Sequence, residues 1–171
     1  MKWWTVPAAL GGVSLALGAL AYAAGSMLPA EHVAERSADV AADAARVAER
    51  IRAVEAQPQW RRKVTRVEVH ERGPHQVRYT EFAGRDAIAF DMTADREGRR
   101  FVSTIASADL PFGGRWLIAL EPIAASRTRV TIREEGVVRP PVFRALSRYV
   151  IGHGATMDAY LEDLSKSFEE R

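Results

Sequence analysis

The chain has no cysteine, which removes disulfides, thiolate metal sites and thiol nucleophiles on either side of a membrane. It also has little net charge. Lys and Arg number 24 against 22 Asp and Glu, an excess of +2, and Lys2 supplies one unit of it. A nucleic-acid footprint needs a clustered basic excess, so no nucleic-acid partner is expected. There is no G-x-S-x-G elbow, no Walker loop and no dinucleotide fingerprint. Among the 4 histidines, His70 and His75 flank a turn without the carboxylate spacing that ligation requires, so neither a metal nor a cofactor is expected.

Charge is absent altogether from Trp3 to Ala30, a stretch of Leu, Val, Ala and Gly. About 20 such residues, at about 1.5 Å of rise each, cross about 30 Å of hydrocarbon. Trp3, Trp4 and Tyr22 stand near its ends, where amphipathic rings favour the membrane interface. Residues 3–27 are therefore expected to form one N-terminal transmembrane helix in contact with the bilayer. Small residues recur at Ala8, Gly12 and Ala16, as they commonly do in such helices. The rival reading is a cleaved signal peptide: Lys2 makes a short basic start, and Ala21-Tyr22-Ala23 has the A-x-A form of a cleavage site. The run exceeds the usual 7–15 residues of a signal core, which favours a retained anchor. The basic start places the rest of the chain outside the cytoplasm. A count of the arginines that follow, Arg36, Arg46 and Arg50, favours the reverse.

The expected division is an anchor over 1–30 and a globular domain over 31–171. In the second part a strand from His32 to Val40 precedes a helix with Asp43 as N-cap, its stripe running Val40, Ala44, Val47, Ala48, Ile51, Val54. Gln57-Pro58 breaks that pattern, and the period then falls to two. Val64, Val67 and Val69 begin a strand, Gly73-Pro74 turns it, and His75–Phe82 returns. Ile88, Phe90 and Met92 alternate in the next strand, followed by Phe101–Ser107. A loop over Pro111–Gly114 leads to Trp116, Ile118 and Leu120; a turn over Glu121–Arg127 leads to Val130 and Ile132. Short turns between successive strands mean an antiparallel meander. Pro140-Pro141 then opens one long helix with the stripe Phe143, Leu146, Val150, His153, Met157, Leu161, Leu164, Phe168. The fold class is α+β, with the sheet wrapped around the last helix.

Several segments carry a family resemblance. They are Pro58-x-Trp60-Arg61, Leu110-Pro111-Phe112-Gly113-Gly114, Trp116-x-Ile118-x-Leu120-Glu121-Pro122, Thr128-Arg129-Val130-Thr131-Ile132-x-Glu134-Glu135-Gly136, Gly152-His153 and Asp158-Ala159-Tyr160-Leu161. In order and spacing the chain from about Glu31 to Phe168 resembles the START-like superfamily, also called SRPBCC or polyketide cyclase/dehydrase-like. The resemblance implies a helix-grip fold: an antiparallel sheet curved around a long C-terminal helix, enclosing a hydrophobic cavity. It also implies a lipid-like, polyketide-like or other apolar small molecule as partner, with cyclisation or dehydration in a minority of members. The chain departs from the family at Ala41-Ala42-Asp43-Ala44 and at Ala48, where prolines and a large aromatic are common, so ligand size does not carry over.

The residues expected to line the cavity are Ile88, Phe90 and Met92; Trp116, Ile118 and Leu120; Val130 and Ile132; and, on the helix, Phe143, Leu146, Val150, His153 and Met157. Apolar stripes serve packed cores as well as ligands. His153 is the one polar side chain on its stripe, either a core histidine satisfied by a neighbour or a hydrogen-bonding group or base for a ligand. Glu134 and Glu135, adjacent on a strand, point to opposite faces and cannot act as a pair. Glu134 is expected at the cavity rim, in an ion pair with an arginine or with His153. In the enzymatic alternative His153 and Glu134 are the catalytic candidates. Arg61-Arg62-Lys63 is expected either to touch anionic headgroups or to be a solvated turn.

Overall fold

The computed structural model describes residues 18–146, 148 and 154–169. Helix α1 covers 18–26 of them, strand β1 is Glu31–Val40, and helix α2 is Ala44–Arg52, followed by a 3₁₀ turn over Val54–Gln59. The meander comprises β2 (Arg66–Arg72), β3 (Gln76–Ala83), β4 (Asp86–Ala94), β5 (Arg100–Ile105), β6 (Phe112–Ala124) and β7 (Arg127–Val138). Helices α3 (Pro141–Leu146) and α4 (Ala155–Glu169) close the described chain. All seven strands form one antiparallel sheet in the order β1-β7-β6-β5-β4-β3-β2.

Alternation decides which side chains the sheet turns inward. On β1 the even positions lead to Val40, fully buried; on β7 the same face carries Val130 and Ile132, also fully buried. The register then sets rows across the sheet. One row runs Arg36, Ile132, Ile118, Phe101, Ala94; the next runs Ala34, Glu134, Trp116, Ser103, Met92, Val77. Against this face α4 buries Met157, Tyr160, Leu161 and Leu164, at helical spacing, while Lys166 and Glu162 pair outside it at 2.6 Å. Asp43 caps α2 by accepting the Arg46 amide at 3.0 Å, and the stripe Val47, Ala48, Ile51 seals one end of the core. Buried Thr128 ties that end together, its Oγ1 donating to the Ala42 carbonyl at 2.8 Å.

Several boundaries differ from those read in the sequence. Val40 and Val54 are buried as expected but belong to β1 and the 3₁₀ turn, so α2 is shorter than its stripe. The loop expected over Pro111–Gly114 is instead the start of β6, because Phe112 pairs with Val138 and Gly114 with Gly136. The turn expected over Glu121–Arg127 shrinks to residues 125–126, since β6 and β7 stay paired past Pro122. A bulge between Pro122 and Ala124, beyond the last pairing of β5 at Ala119, accommodates the proline. The C-terminal stripe is divided between α3 and α4; of the residues between them only Arg148 and Gly154 are described. Residues 3–17 of the expected membrane span lie outside the described residues. No helix among the described residues is long and apolar enough to cross a membrane.

Candidate functional site

Between the concave sheet face and the C-terminal helices lies a cavity of about 450 Å³. Its wall draws on β1 and β3 to β7, on α2 through Ile51, on α3 through Phe143 and Leu146, and on α4 through Thr156 and Tyr160. Apolar contacts dominate: Ile88, Phe90, Met92, Ile105 and Ile118 form the sheet side, with Tyr79 stacked on Phe90 at 5.4 Å between ring centroids. The exposed lining residues are Phe112, Arg115, Phe143, Leu146 and Thr156. The mouth therefore lies where β6 begins, beside α3 and the start of α4.

Two polar clusters interrupt this surface. At the first, Glu134 Oε2 accepts the Trp116 indole N–H at 2.6 Å, and its Oε1 lies 2.8 Å from His32 Nε2. Side-chain exposure is only 16% for His32 and 19% for Glu134, so the pair sits largely out of bulk water. Glycine makes room for it. His32 is paired with Gly136 across β1 and β7, and a Cβ at Gly136 would overlap the imidazole. Beside it Gly114 has φ 133°, and a Cβ there would overlap the Glu135 carbonyl.

The second cluster stands on the opposite wall. Arg61 donates to the Gln57 side chain at 2.7 Å and to Glu81, and its guanidinium lies over the Tyr160 ring, 5.2 Å from the centroid. Tyr79 lies alongside, its phenol next to the Ser103 and Gln57 side chains, which favour its ionised form. Burial pushes the Tyr79 phenol up, with the Glu81 carboxylate adding to the effect. Tyr160 is likewise raised beyond the ordinary phenol range, chiefly by burial. Both are thus neutral hydroxyls near neutral pH. Trp60 and Trp116 each meet the Tyr160 ring edge-on, at 5.4 and 5.5 Å, which fixes it between the clusters.

Of the residues expected to line the cavity, Ile88, Phe90, Met92, Trp116, Ile118, Phe143 and Leu146 do so. Leu120, Val130, Ile132 and Met157 do not; they are packed into the core, at most 5% exposed. Leu120 and Val130 pair near the α2 end of the sheet, where the α2 stripe fills the space a ligand would need. Val150 and His153 lie outside the described residues. Glu134 lines the cavity, with His32 as its partner rather than an arginine. In the Arg61-Arg62-Lys63 turn only Lys63 is exposed without a partner among the described residues. Arg61 turns inward, and Arg62 holds buried Asp163 at 2.5 Å and Glu162 at 2.8 Å. Among the described residues no group of acidic and histidine side chains is arranged to hold a metal ion.

A sheet that grips a helix around an apolar cavity defines the START-like class of folds. The chain belongs to the polyketide cyclase / dehydrase and lipid transport family, whose pattern matches residues 31–169. Among solved structures it is similar to the Zhui aromatase/cyclase from Streptomyces sp. R1128, at 15% identity and a TM-score of 0.71, covering 82% of this chain and 95% of that one. It is similar also to a START superfamily protein from Mycobacterium smegmatis, at 18% identity and TM-score 0.63, covering 81% and 98%. A norcoclaurine synthase of Thalictrum flavum, solved with a transition-state analogue, matches at 14% identity and TM-score 0.63, covering 82% and 95%. No curated protein matches the chain significantly. At such identities the likeness concerns the fold.

Proposed function

We propose that the protein binds a hydrophobic or amphipathic small molecule, lipid-like or polyketide-like, in the cavity between sheet and C-terminal helices, and that residues 3–27 anchor it in a membrane. On this reading it is a single-pass membrane protein with residues 31–171 as its binding domain, outside the cytoplasm. The observation that carries the binding reading is the cavity itself. Its volume of about 450 Å³ falls in the range of about 300–1,000 Å³ typical of small-molecule sites. Its wall has the matching chemistry, mostly apolar with a few fixed polar groups. The anchor is supported by the charge-free run from Trp3 to Ala30. Extraction of the full chain from membranes in mild detergent, followed by mass spectrometry of what comes with it, tests both parts. The expected result is a detergent-dependent chain carrying a small apolar molecule. Recovery of an empty chain from several lipid sources contradicts the binding reading, and a mature N-terminus at Ala24 contradicts the anchor.

A second reading, a cyclase- or dehydratase-type enzyme, is favoured by one observation: a histidine–carboxylate pair, His32 with Glu134, sits shielded in the cavity wall. Such a pair takes up and returns a proton near an apolar substrate. The variant Glu134→Gln separates the readings. An enzyme retains its ligand but loses turnover, whereas a carrier shows no turnover to lose.

A further inference from the structure

The mouth of the cavity and the point where the N-terminal segment joins the domain are the same place. The sheet register brings them together: β1 begins at Glu31 opposite Val137, and β6 begins at Phe112 opposite Val138. Backbone bonds continue the junction, from the Val138 amide to the Ala30 carbonyl at 2.8 Å and from the Arg139 amide to the Pro111 carbonyl at 2.9 Å. Helix α1 is seated against the start of α3, since a Cβ at Gly25 would overlap the Pro141 carbonyl. Arg144 adds a bond to the Leu28 carbonyl at 3.3 Å. The charge-free segment thus leaves the domain beside the opening.

The surface around this junction is apolar where a soluble surface would be polar. On α1 and just after it, Leu20, Tyr22 and Met27 are exposed, Met27 by 88%. Around the mouth Phe112, Val142, Phe143 and Leu146 are exposed too, Phe143 by 48%. A cluster of large apolar side chains around a cavity opening marks an interaction surface rather than scatter. Cations flank it. Arg139 and Arg144 donate to the carbonyls of Leu110, Val138 and Arg139 itself, and among the described residues neither forms an ion pair with a carboxylate. Aromatic and aliphatic tips beside the exposed Arg139 match the lipid–water boundary, where tips enter the acyl region and a guanidinium group meets phosphates, while Arg144 ties the junction together through backbone carbonyls.

We propose that this face rests on the lipid bilayer, so that the cavity opens into the membrane and its ligand enters from the lipid phase. The proposal rests on the cavity being a binding site for an apolar molecule. It adds the partner against which that site opens, and it accounts for apolar residues at the rim that the core does not use. A tether of charge-free sequence reaching the same rim leaves the bilayer, rather than a soluble partner, as the occupant. The opposite end of the sheet, with the turn at residues 125–126, is held away from the lipid.

The absence of native cysteine makes the test direct. Single cysteines are placed in the full chain at Phe112→Cys and Val142→Cys on the rim, and at Ala125→Cys on the far turn, all exposed positions. Each variant is labelled with a small fluorophore and reconstituted in vesicles of phosphatidylcholine and phosphatidylglycerol containing spin-labelled lipid. The expected result is quenching of both rim labels severalfold stronger than that of the label at 125. Equal quenching at all three positions overturns the proposal. So does shielding of the rim labels without lipid quenching that disappears when the chain is diluted among vesicles, which identifies a second copy as the occupant. Ligand retention by the same variants in detergent is measured separately, so an empty cavity and a misoriented one are distinguishable.

Discussion

Glu134 shows how one side chain is fixed by its surroundings. It takes the Trp116 N–H on one oxygen and meets His32 on the other, at the rim of an apolar space where an unpaired carboxylate would be costly. Replacing Trp116 by Phe removes one donor while keeping most of the ring. The expected loss is about 1–3 kcal/mol, read from urea denaturation, because a charge-accepting bond is broken in a shielded place. Thr128→Val probes a simpler bond. The shapes match, but the buried Ala42 carbonyl loses its donor, and a loss of about 1–3 kcal/mol is expected in the same measurement. Tyrosine ionisation supplies a pH test. Tyr79 and Tyr160 have folded pKa values raised by burial, so their neutral forms are favoured in the fold. Their contribution to stability is complete below the unfolded phenol value of about 10 and disappears as pH rises through the folded values. In alkaline titration followed by tyrosinate absorbance, their two steps are expected to coincide with unfolding. A Tyr160→Phe variant should lose one of these steps, and ionisation of both phenols in a chain that remains folded would contradict their burial.

At the scale of elements, the packing of β1, β7 and β6 beside the cavity depends on two glycines. Gly136→Ala drives a methyl into the His32 ring and should cost about 1–3 kcal/mol as overpacking, while displacing His32 from Glu134. Gly113→Ala is the comparison. Its Cβ would meet Val137 Cγ1 at an ordinary 3.6 Å, and little change in the urea midpoint is expected. The meander strands and their sequential pairing were legible in the sequence because period-two runs separated by short turns admit few arrangements, whereas the place of β1 beside β7 was not. The polar half of the site was less so, although one signal for it existed. Parity on each strand placed His32 with Val40, Glu81 with Val77 and Tyr79, and Ser103 with Phe101 on the inward face. Reading only the apolar members of each alternation hid these three. Arg61 and Gln57 were not legible in that way. They approach the cavity from an irregular turn, where no period fixes the direction of a side chain.

At the scale of the molecule, the extended apolar stripes could not be divided in advance into core and cavity. Ile118 and Leu120 share one face of β6, yet only the first touches the open space. The difference lies in what stands opposite. Near the Leu120–Val130 end the α2 stripe fills the interior, whereas toward the β6 start the sheet faces the space beneath α3. Long-range packing of this kind leaves no mark within a strand. Met157→Ala would test the filled part, with an expected loss of about 2–5 kcal/mol from a new void, checked by thermal and urea unfolding. Ile88→Trp tests the open part, since the larger ring occupies space that is vacant rather than packed. The most direct measurement is a fluorescence titration of the detergent-purified chain with a neutral aromatic dye such as aminoanthracene. The account predicts saturable binding at one dye per chain, lost in Ile88→Trp while its melting temperature is kept. Binding that persists unchanged in that folded variant, or never saturates, would contradict a ligand site between the sheet and its helices.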